Sequence, residues 1–319
     1  MDHSREAPEV SLITVNWNTK DLLLQSLESL YDTAGDLNIE AVVVDNGSSD
    51  GSVEAVKAAF SELQVIENKS NLGFARAVNQ ALARTSAPYM VIFNTDIIFT
   101  AGALATMLAY TKENPDAGLV GASLLNEDGT PQNSFAPFPG LSTELLNKSL
   151  LRLLFPQKYA TRASGDEARD VDSLVGACML LRRSALEKVG GLDERYFFYL
   201  EETDWAKRMR KAGFRVVDLG RARVYHLQGK SAESFPARSR IEYYRSRYLY
   251  FQKWHSPGAN IVLKTGLILR LLFEIIFSFL ANSLTLFCLK KERRRLAVRV
   301  RIFLWHLAGQ PKGWGLKGA

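Results

Sequence analysis

Cysteine is almost missing. Cys178 and Cys288 are the only two in 319 residues, too few for a disulfide framework and without the paired spacing of a zinc site, so a reducing compartment is expected. The opening MDHSREAPEV has no apolar stretch, and a secretory signal peptide is not expected there. No G-x-G-x-x-G follows the first predicted strand and no G-x-x-x-x-G-K-[ST] occurs anywhere, which argues against dinucleotide-fold and P-loop chemistry. Internal repeats are also missing. With 47% hydrophobic residues the chain can bury a large core, and disordered or collagen-like readings fail. Acidic residues are scarce towards the C-terminus: residues 237–319 hold 16 Lys and Arg against Glu242, Glu274 and Glu292, a net +13, while residues 1–236 carry −7. An acidic body with a basic, apolar tail suits an anionic membrane surface. No nucleic-acid partner is expected, because such proteins place positive charge on the folded recognition face.

What is present alternates as a parallel α/β sheet does. Apolar, β-branched runs at 10–15, 41–44, 64–66, 89–93 and 118–124 read as strands, and the helical spacings at 22–31, 53–60, 74–83 and 101–110 lie between them. Such βαβ units take right-handed crossovers. From about 129 to 170 the pattern breaks at Pro131, Pro137, Pro139 and Gly140, as in a lid, an acceptor loop or a tolerated insertion. Order returns at 173–181, 205–211, 214–217 and 223–226. Residues 271–289 contain one charge, Glu274, and are followed by Lys290, Lys291 and Arg293 to Arg295. That length is borderline against the roughly 20 residues of a spanning helix. In-plane insertion, spanning and a soluble interaction helix all stay open, the first fitting best. Residues 302–307 offer a second apolar patch.

In an open parallel sheet, ligands bind at the carboxyl ends of the strands. Polar residues gather at these ends: Asn16-Trp17-Asn18, then Asp45-Asn46-Gly47-Ser48-Ser49-Asp50-Gly51, then Asn68 to Phe74, then Asn94-Thr95-Asp96. Turn chemistry explains one such cluster more easily than four in succession. Asp45 suits ribose hydroxyls or a base edge, because a carboxylate accepts several hydrogen bonds. Ser49 and Asp50 suit a helix cap. Asp96 suits Mg2+ or Mn2+ when phosphates complete the octahedron. Glu201, Glu202 and Asp204 follow an aromatic run; they complement a helix N-terminus, or one of them is held poised as a general base. His226, with Gly229 and Ser231 beyond it, points to a bound anion or metal or to a structural histidine.

Taken in order, these residues resemble family 2 glycosyltransferases, and within them the bacterial rhamnosyltransferase-like members. The resemblance runs from about 9 to 232 and includes Val15-Asn16-Trp17-Asn18, Val44 to Gly51, Asn71-Leu72-Gly73-Phe74-Ala75 with Asn79, Asn94-Thr95-Asp96 and Gly176-Ala177-Cys178-Met179. It continues through Gly190 to Glu194, Phe197 to Asp204, Gly213 and His226. It implies a GT-A fold, with a Rossmann-like, mostly parallel central sheet flanked by helices, followed here by a C-terminal membrane-associating helical segment. It also implies a nucleotide-sugar donor, a divalent cation and inversion at the anomeric carbon. Val15, Asn16, Asn18, Asp45, Asn71, Gly73, Phe74, Asn79, Asn94 and Thr95 would then hold the donor. Gly176 and Ala177 would meet the acceptor, Asp96 and His226 the metal, and Glu202 the acceptor proton, with Glu201 and Asp204 as alternatives for the base. Asn94 replaces the first carboxylate of the family's DxD, and Glu202 stands where Asp is usual. Gln252-Lys253-Trp254 lacks the Gln-x-x-Arg-Trp of processive synthases, so polymer synthesis is not expected.

The expected organisation is a catalytic domain over 1–236, with a nucleotide-sugar half at about 9–125 and an acceptor and base half at about 170–236, then a membrane-associating region over 237–319. The expected activity is transfer of a sugar, L-rhamnose from dTDP-rhamnose or another sugar from a UDP-sugar, to a polyprenyl-diphosphate-linked glycan on the cytoplasmic face of the membrane, for envelope polysaccharide. A non-catalytic nucleotide-sugar binder is the alternative, motivated by Asn94 and Glu202. A homodimer through the apolar helix competes with membrane attachment.

Overall fold

The computed structural model describes residues 7–162, 165–227 and 236–316; Gly229 and Ser231 lie outside them. The strands are β1 (Val10–Asn16), β2 (Ile39–Asp45), β3 (Gln64–Glu67), β4 (Tyr89–Asn94), β5 (Ile97–Phe99), β6 (Ala117–Leu125), β7 (Phe135–Ala136), β8 (Ala168–Asp170), β9 (Ser173–Leu174), β10 (Cys178–Arg182) and β11 (Arg215–His226). The helices are α1 (Lys20–Thr33), α2 (Ser52–Ala59), α3 (Phe74–Leu82), α4 (Ala103–Glu113), α5 (Leu141–Leu145), α6 (Lys148–Leu154), α7 (Arg183–Val189), α8 (Glu201–Lys211), α9 (Pro236–Trp254), α10 (Pro257–Leu284) and α11 (Lys290–Leu307).

Two compact units are formed. The first is drawn from 1–138, 155–194 and 201–228, the second from 139–154, 195–200 and 229–319. The expected division at 236 runs along the chain, whereas these units interleave, the second including α5 and α6 from the stretch that sequence periodicity leaves blank.

In the first unit the main sheet runs β3-β2-β1-β4-β10-β6-β11-β5, with β8 beside β11. Its apolar strands β1, β2, β4 and β6 are almost wholly buried, as strands covered by helices on both faces must be. β3, β2, β1 and β4 are mutually parallel, as expected, and β11 is parallel to β6. β10 is given no direction by the sequence. It enters antiparallel between β4 and β6, and β5 and β8 are antiparallel to β11, so the sheet as a whole is mixed. Periodicity reports that β10 is buried, not its direction. The segments expected at 214–217 and 223–226 are one strand, β11, whose register against β6 slips between Leu219 and Arg223.

The second unit packs Ile241, Tyr250 and Phe251 of α9 with Leu263, Leu267 and Leu271 of α10 and Ile302 and Trp305 of α11. Ile302 and Trp305 of the expected apolar patch at 302–307 are therefore core, while Leu304 and Leu307 are exposed. The apolar run at 271–289 is not one helix. α10 begins at Pro257, with Ser256 capping Ala259 N–H, and stops at Leu284. Asn282 and Thr285 donate side-chain bonds back to Ser278 O and Ala281 O, and Leu286 and Phe287 take φ of 47° and 57°. Such back-bonding competes with the helix and lets the chain turn. Phe273, Ile276, Phe277, Leu280 and Leu284 of α10 are all more than half exposed. α10 is long and apolar enough to cross a membrane, a property it shares with core helices of soluble proteins.

Candidate active site

The site is built where the parallel strands end in the first unit. Register sets Asn16, last in β1, level with Asp45, last in β2, and Val15 level with Asn94, last in β4. Because β10 runs the other way, its approach brings Gly176 and Ala177 to the same edge: Asn94 N–H donates to Ala177 O at 2.9 Å. β11 ends there too, with His226 opposite Ile97.

The first two loops are tied by side chains. Asn16 is fully buried and donates to Asp45 Oδ1 (2.8 Å) and Ser48 Oγ (3.1 Å), while Thr19 Oγ1 donates to Asn16 Oδ1 (2.7 Å) and lies 2.9 Å from Thr95 Oγ1. Asp45 Oδ2 accepts from Gly47 N–H (3.1 Å) and Ser48 N–H (2.8 Å). A carboxylate has about four lone-pair directions; three are taken by internal donors and one remains. Asn18, at a positive φ of 53°, accepts from Ser49 N–H and donates its own N–H to Ser48 Oγ. Asp50 accepts from Lys20 N–H and from Ser52 N–H and Oγ–H, bonds that hold its carboxyl below the usual range despite partial burial. It braces the starts of α1 and α2 together, where the sequence suggested a simple cap.

The third loop is stapled to the second. Asn46 donates to Gly73 O, Asn68 donates to Asn46 Oδ1, and Asn71 Oδ1 accepts from Gly73 N–H. Gly47 has φ of 76°, and a Cβ there would lie 2.9 Å from Ser70 Cα, so this approach admits only glycine. Gly73 and Phe74 open α3. Asn79, expected at the donor pocket, lies further along α3 and holds the 190–194 turn: its amide donates to Leu192 O and Glu194 Oε1 and accepts from Leu192 N–H.

Asp96 lies in the turn between β4 and β5, and its carboxylate faces His226: Nε2 to Oδ1 is 3.4 Å, both side chains mostly buried. Gln132 assigns the tautomer, a signal that sequence reasoning missed. Its Nε2 donates to His226 O at 2.7 Å, which turns its Oε1 towards His226 Nδ1 at 3.0 Å. An acceptor there requires Nδ1 to carry the proton, so neutral His226 keeps a lone pair on Nε2, aimed at the carboxylate. Two lone-pair bearers facing one another call for a cation or a proton between them. The carboxylate oxygen suits Mg2+ or Mn2+ once phosphate oxygens supply the remaining positions, and the imidazole nitrogen favours Mn2+, the softer of the two, so these residues fit the expected ion. No group of three or more His, Cys, Asp or Glu suited to a metal occurs among the described residues.

The three carboxylates at the start of α8 have different surroundings. Asp204 is fully buried and accepts from Arg208 Nε at 2.9 Å, while Arg208 also donates to Val189 O and Gly191 O. Glu201 is 4% exposed. Glu202 is the most accessible of the three, with Thr203 Oγ1 donating to it at 3.2 Å. Burial of its carboxyl pushes it up to about 6. A Cβ at Gly176 would lie 3.3 Å from Glu202 Cγ, so glycine leaves the room in which Glu202 sits. The backbone entering α8 is strained, with Tyr199 and Leu200 at φ of 75° and 66°, a cost that persists mostly at functional segments.

Comparison with known proteins bears on this arrangement. The family model described as "Glycosyl transferase family 2" matches residues 11–190. The N-acetylglucosaminyl-diphospho-decaprenol L-rhamnosyltransferase of Mycobacterium tuberculosis is 28% identical over 261 residues, covering 77% of this chain and 84% of the relative. Among solved structures, a mannosyltransferase from Pyrobaculum calidifontis in complex with GDP-Man and Mn2+ aligns with a TM-score of 0.56 at 17% identity, covering 96% of this chain and 89% of that one. GalNAc-T7 with UDP, GalNAc and Mn2+ aligns with a TM-score of 0.58 at 15% identity, over 76% of this chain and 48% of that one.

Proposed function

This chain belongs to glycosyl transferase family 2 and is a glycosyltransferase of GT-A fold; from that premise we propose an inverting, non-processive rhamnosyltransferase. Its donor is dTDP-rhamnose and its acceptor a polyprenyl-diphosphate-linked N-acetylglucosamine used in cell-envelope polysaccharide. The substrate pair is supported by the mycobacterial relative, which is named for that acceptor type and aligns over most of its length. The chain works at the cytoplasmic face of the membrane, held there by the exposed apolar side of α10 and the basic residues that follow it.

The observation that carries the chemistry is Glu202. A carboxyl titrating near 6 is largely ionised at neutral pH yet basic enough to take a proton, which is the range a general base needs. Glu202 accepts the acceptor hydroxyl proton, and Gly176 leaves room for its side chain. Asp45 offers its remaining lone pair to a nucleoside N–H or hydroxyl, within the scaffold of Asn16, Asn18 and Ser48. Asn94 and Thr95 line the path between nucleoside and diphosphate. Asp96 and His226 would hold Mg2+ or Mn2+, which when bound neutralises the charge that grows on the departing nucleotide diphosphate. Attack opposite that leaving group inverts the anomeric centre.

Calorimetry with dTDP-rhamnose, UDP-sugars and GDP-sugars, each with Mg2+ or Mn2+, tests the donor. A short-chain polyprenyl-diphosphate N-acetylglucosamine tests the acceptor. The expected product is one deoxyhexose heavier by mass spectrometry and opposite to the donor in anomeric configuration by NMR. Retention of configuration, or a bound donor that is never transferred, overturns the reading.

A further inference from the structure

The second unit contains a cavity that the chemistry above leaves unused. Tyr199, Arg240, Tyr243, Tyr244, Arg247 and Arg270 line a space of about 360 Å3. A cleft of about 700 Å3 adjoins it along α10, walled by Leu145, Leu269, Phe273, Phe277 and Ala281, and Arg270 and Glu274 belong to both. One end of the combined space is cationic and aromatic; the other is mostly apolar, with Glu292 and Arg299 also in its lining.

The charge at the first end is not balanced. Arg247 pairs with Glu144 at 2.8 Å, and its guanidinium lies over the rings of Tyr243 and Tyr244 at 4.5 and 5.1 Å. Glu274 is shared by Arg270 (3.1 Å) and Arg299 (3.3 Å). Arg240 is exposed and has no ion-pair partner among the described residues. Among the described residues, Arg240, Arg247, Arg270 and Arg299 thus face only Glu144 and Glu274, leaving two positive charges; Glu292, which lines the cleft with Arg299, is already paired with Arg295 at 2.6 Å. At the other end, Phe273 and Phe277 are 61% and 69% exposed, a large apolar area for a helix in water.

We propose that the two spaces together bind a polyprenyl diphosphate, with Arg240, Arg270 and Arg247 at the diphosphate and the α10 cleft along the first isoprenoid units. In the sugar-linked lipid the diphosphate is a diester with two negative charges, matching the uncompensated pair. Planar guanidiniums grip phosphate oxygens through paired N–H donors. Glu274 does not oppose the anion, because two arginines already neutralise it. The apolar cleft selects a lipid over a free nucleotide or inorganic phosphate, which would leave it bare. Naming the occupant as the lipid end of the acceptor rests on the function proposed above.

The full chain, in EDTA so that divalent-cation sites do not compete, is titrated with farnesyl diphosphate, inorganic pyrophosphate and farnesol. Binding of dTDP with Mn2+ is measured separately as a donor-site control. Farnesyl diphosphate is expected to bind most tightly. Arg240→Gln with Arg270→Gln should weaken it by at least about tenfold, and Arg240→Gln alone, which breaks no ion pair among the described residues, by about threefold. Phe273→Asp should weaken farnesyl diphosphate and leave pyrophosphate unchanged. All variants should bind dTDP as the parent does. Farnesyl diphosphate affinity that ignores both arginines overturns the proposal. So does a double variant that loses flotation with phosphatidylglycerol vesicles yet keeps its farnesyl diphosphate affinity, since the arginines would then serve a bilayer surface. A parent that fails to bind dTDP while farnesyl diphosphate behaves as expected sinks the donor reading and leaves this site standing.

Discussion

Glu202 carries two separable consequences. As the proposed base it must be ionised, so transfer should rise with pH through about 6, the value to which burial pushes its carboxyl. Glu202→Gln should cost ~10²–10⁴-fold in turnover with donor affinity unchanged; a variant with near-normal turnover moves the base elsewhere. As a buried acid, Glu202 titrates higher folded than its ordinary 4.5. The folded state thus binds that proton more tightly, and stability falls as pH rises through the interval. Glu202→Gln should therefore be more stable than the parent at pH 8, by about 1 kcal/mol after allowing for its partial exposure, and no more stable than the parent at pH 4. Gln132 acts through a different atom. Gln132→Leu removes the acceptor that fixes the His226 tautomer, and loss of such an outer partner typically weakens metal affinity by about 10- to 100-fold. Calorimetry should show weaker Mn2+-dependent donor binding, with Asp96→Ala more severe, while metal-free nucleotide binding is unchanged. Sequence alone marks Asp96 and His226. It gives no sign of Gln132, a lone amide 94 residues from its histidine, nor that Asp204 is already occupied by Arg208.

At the scale of single elements, β11 and α10 each break an expectation for a physical reason. β11 buries Asp218 completely, with Ser123 Oγ donating to it at 3.2 Å, and burial raises its carboxyl from 3.8 to about 6. A raised folded pKa means stability is lost as pH climbs through that window, so Asp218→Asn should raise the melting temperature at pH 8 and leave it unchanged at pH 4. Equal shifts at both pH values would assign the effect to packing. In α10, residues 277, 280 and 284 share one exposed face. Phe277→Asp with Leu280→Asp should abolish flotation on anionic vesicles and keep the circular dichroism; flotation that persists removes α10 as the contact. Element positions in the first unit are readable because strand runs and helical spacings differ in period. The direction of β10 is not, since an apolar run buried on both faces looks the same either way. The end of α10 is equally hidden, because Asn282 and Thr285 break the helix through bonds that hydropathy does not count.

Over the whole molecule, charge is divided between a body at −7 and a tail at +13. Attraction of the tail to anionic lipid should fade as the screening length drops from about 10 Å at 0.1 M salt to about 3 Å at 1 M, while any binding to neutral vesicles through apolar area should persist. Sedimentation with both vesicle types across that salt range separates the two contributions. Salt-independent binding to anionic vesicles would leave the basic residues without a role. The interleaved units are the least readable feature of the chain, since 139–154 join a body whose other helices begin some eighty residues later.

The antiparallel entry of β10 also sets an order of assembly. β3, β2, β1 and β4 can pair once residue 94 is made, but β6 finds neither neighbour until β10 and β11 follow, at 178–182 and 215–226. During synthesis the edge of β4 and both edges of β6 thus stay open, and open apolar edges invite pairing with other chains. A nascent chain halted near residue 130 should need a chaperone to remain soluble, whereas one extended past β11 should not.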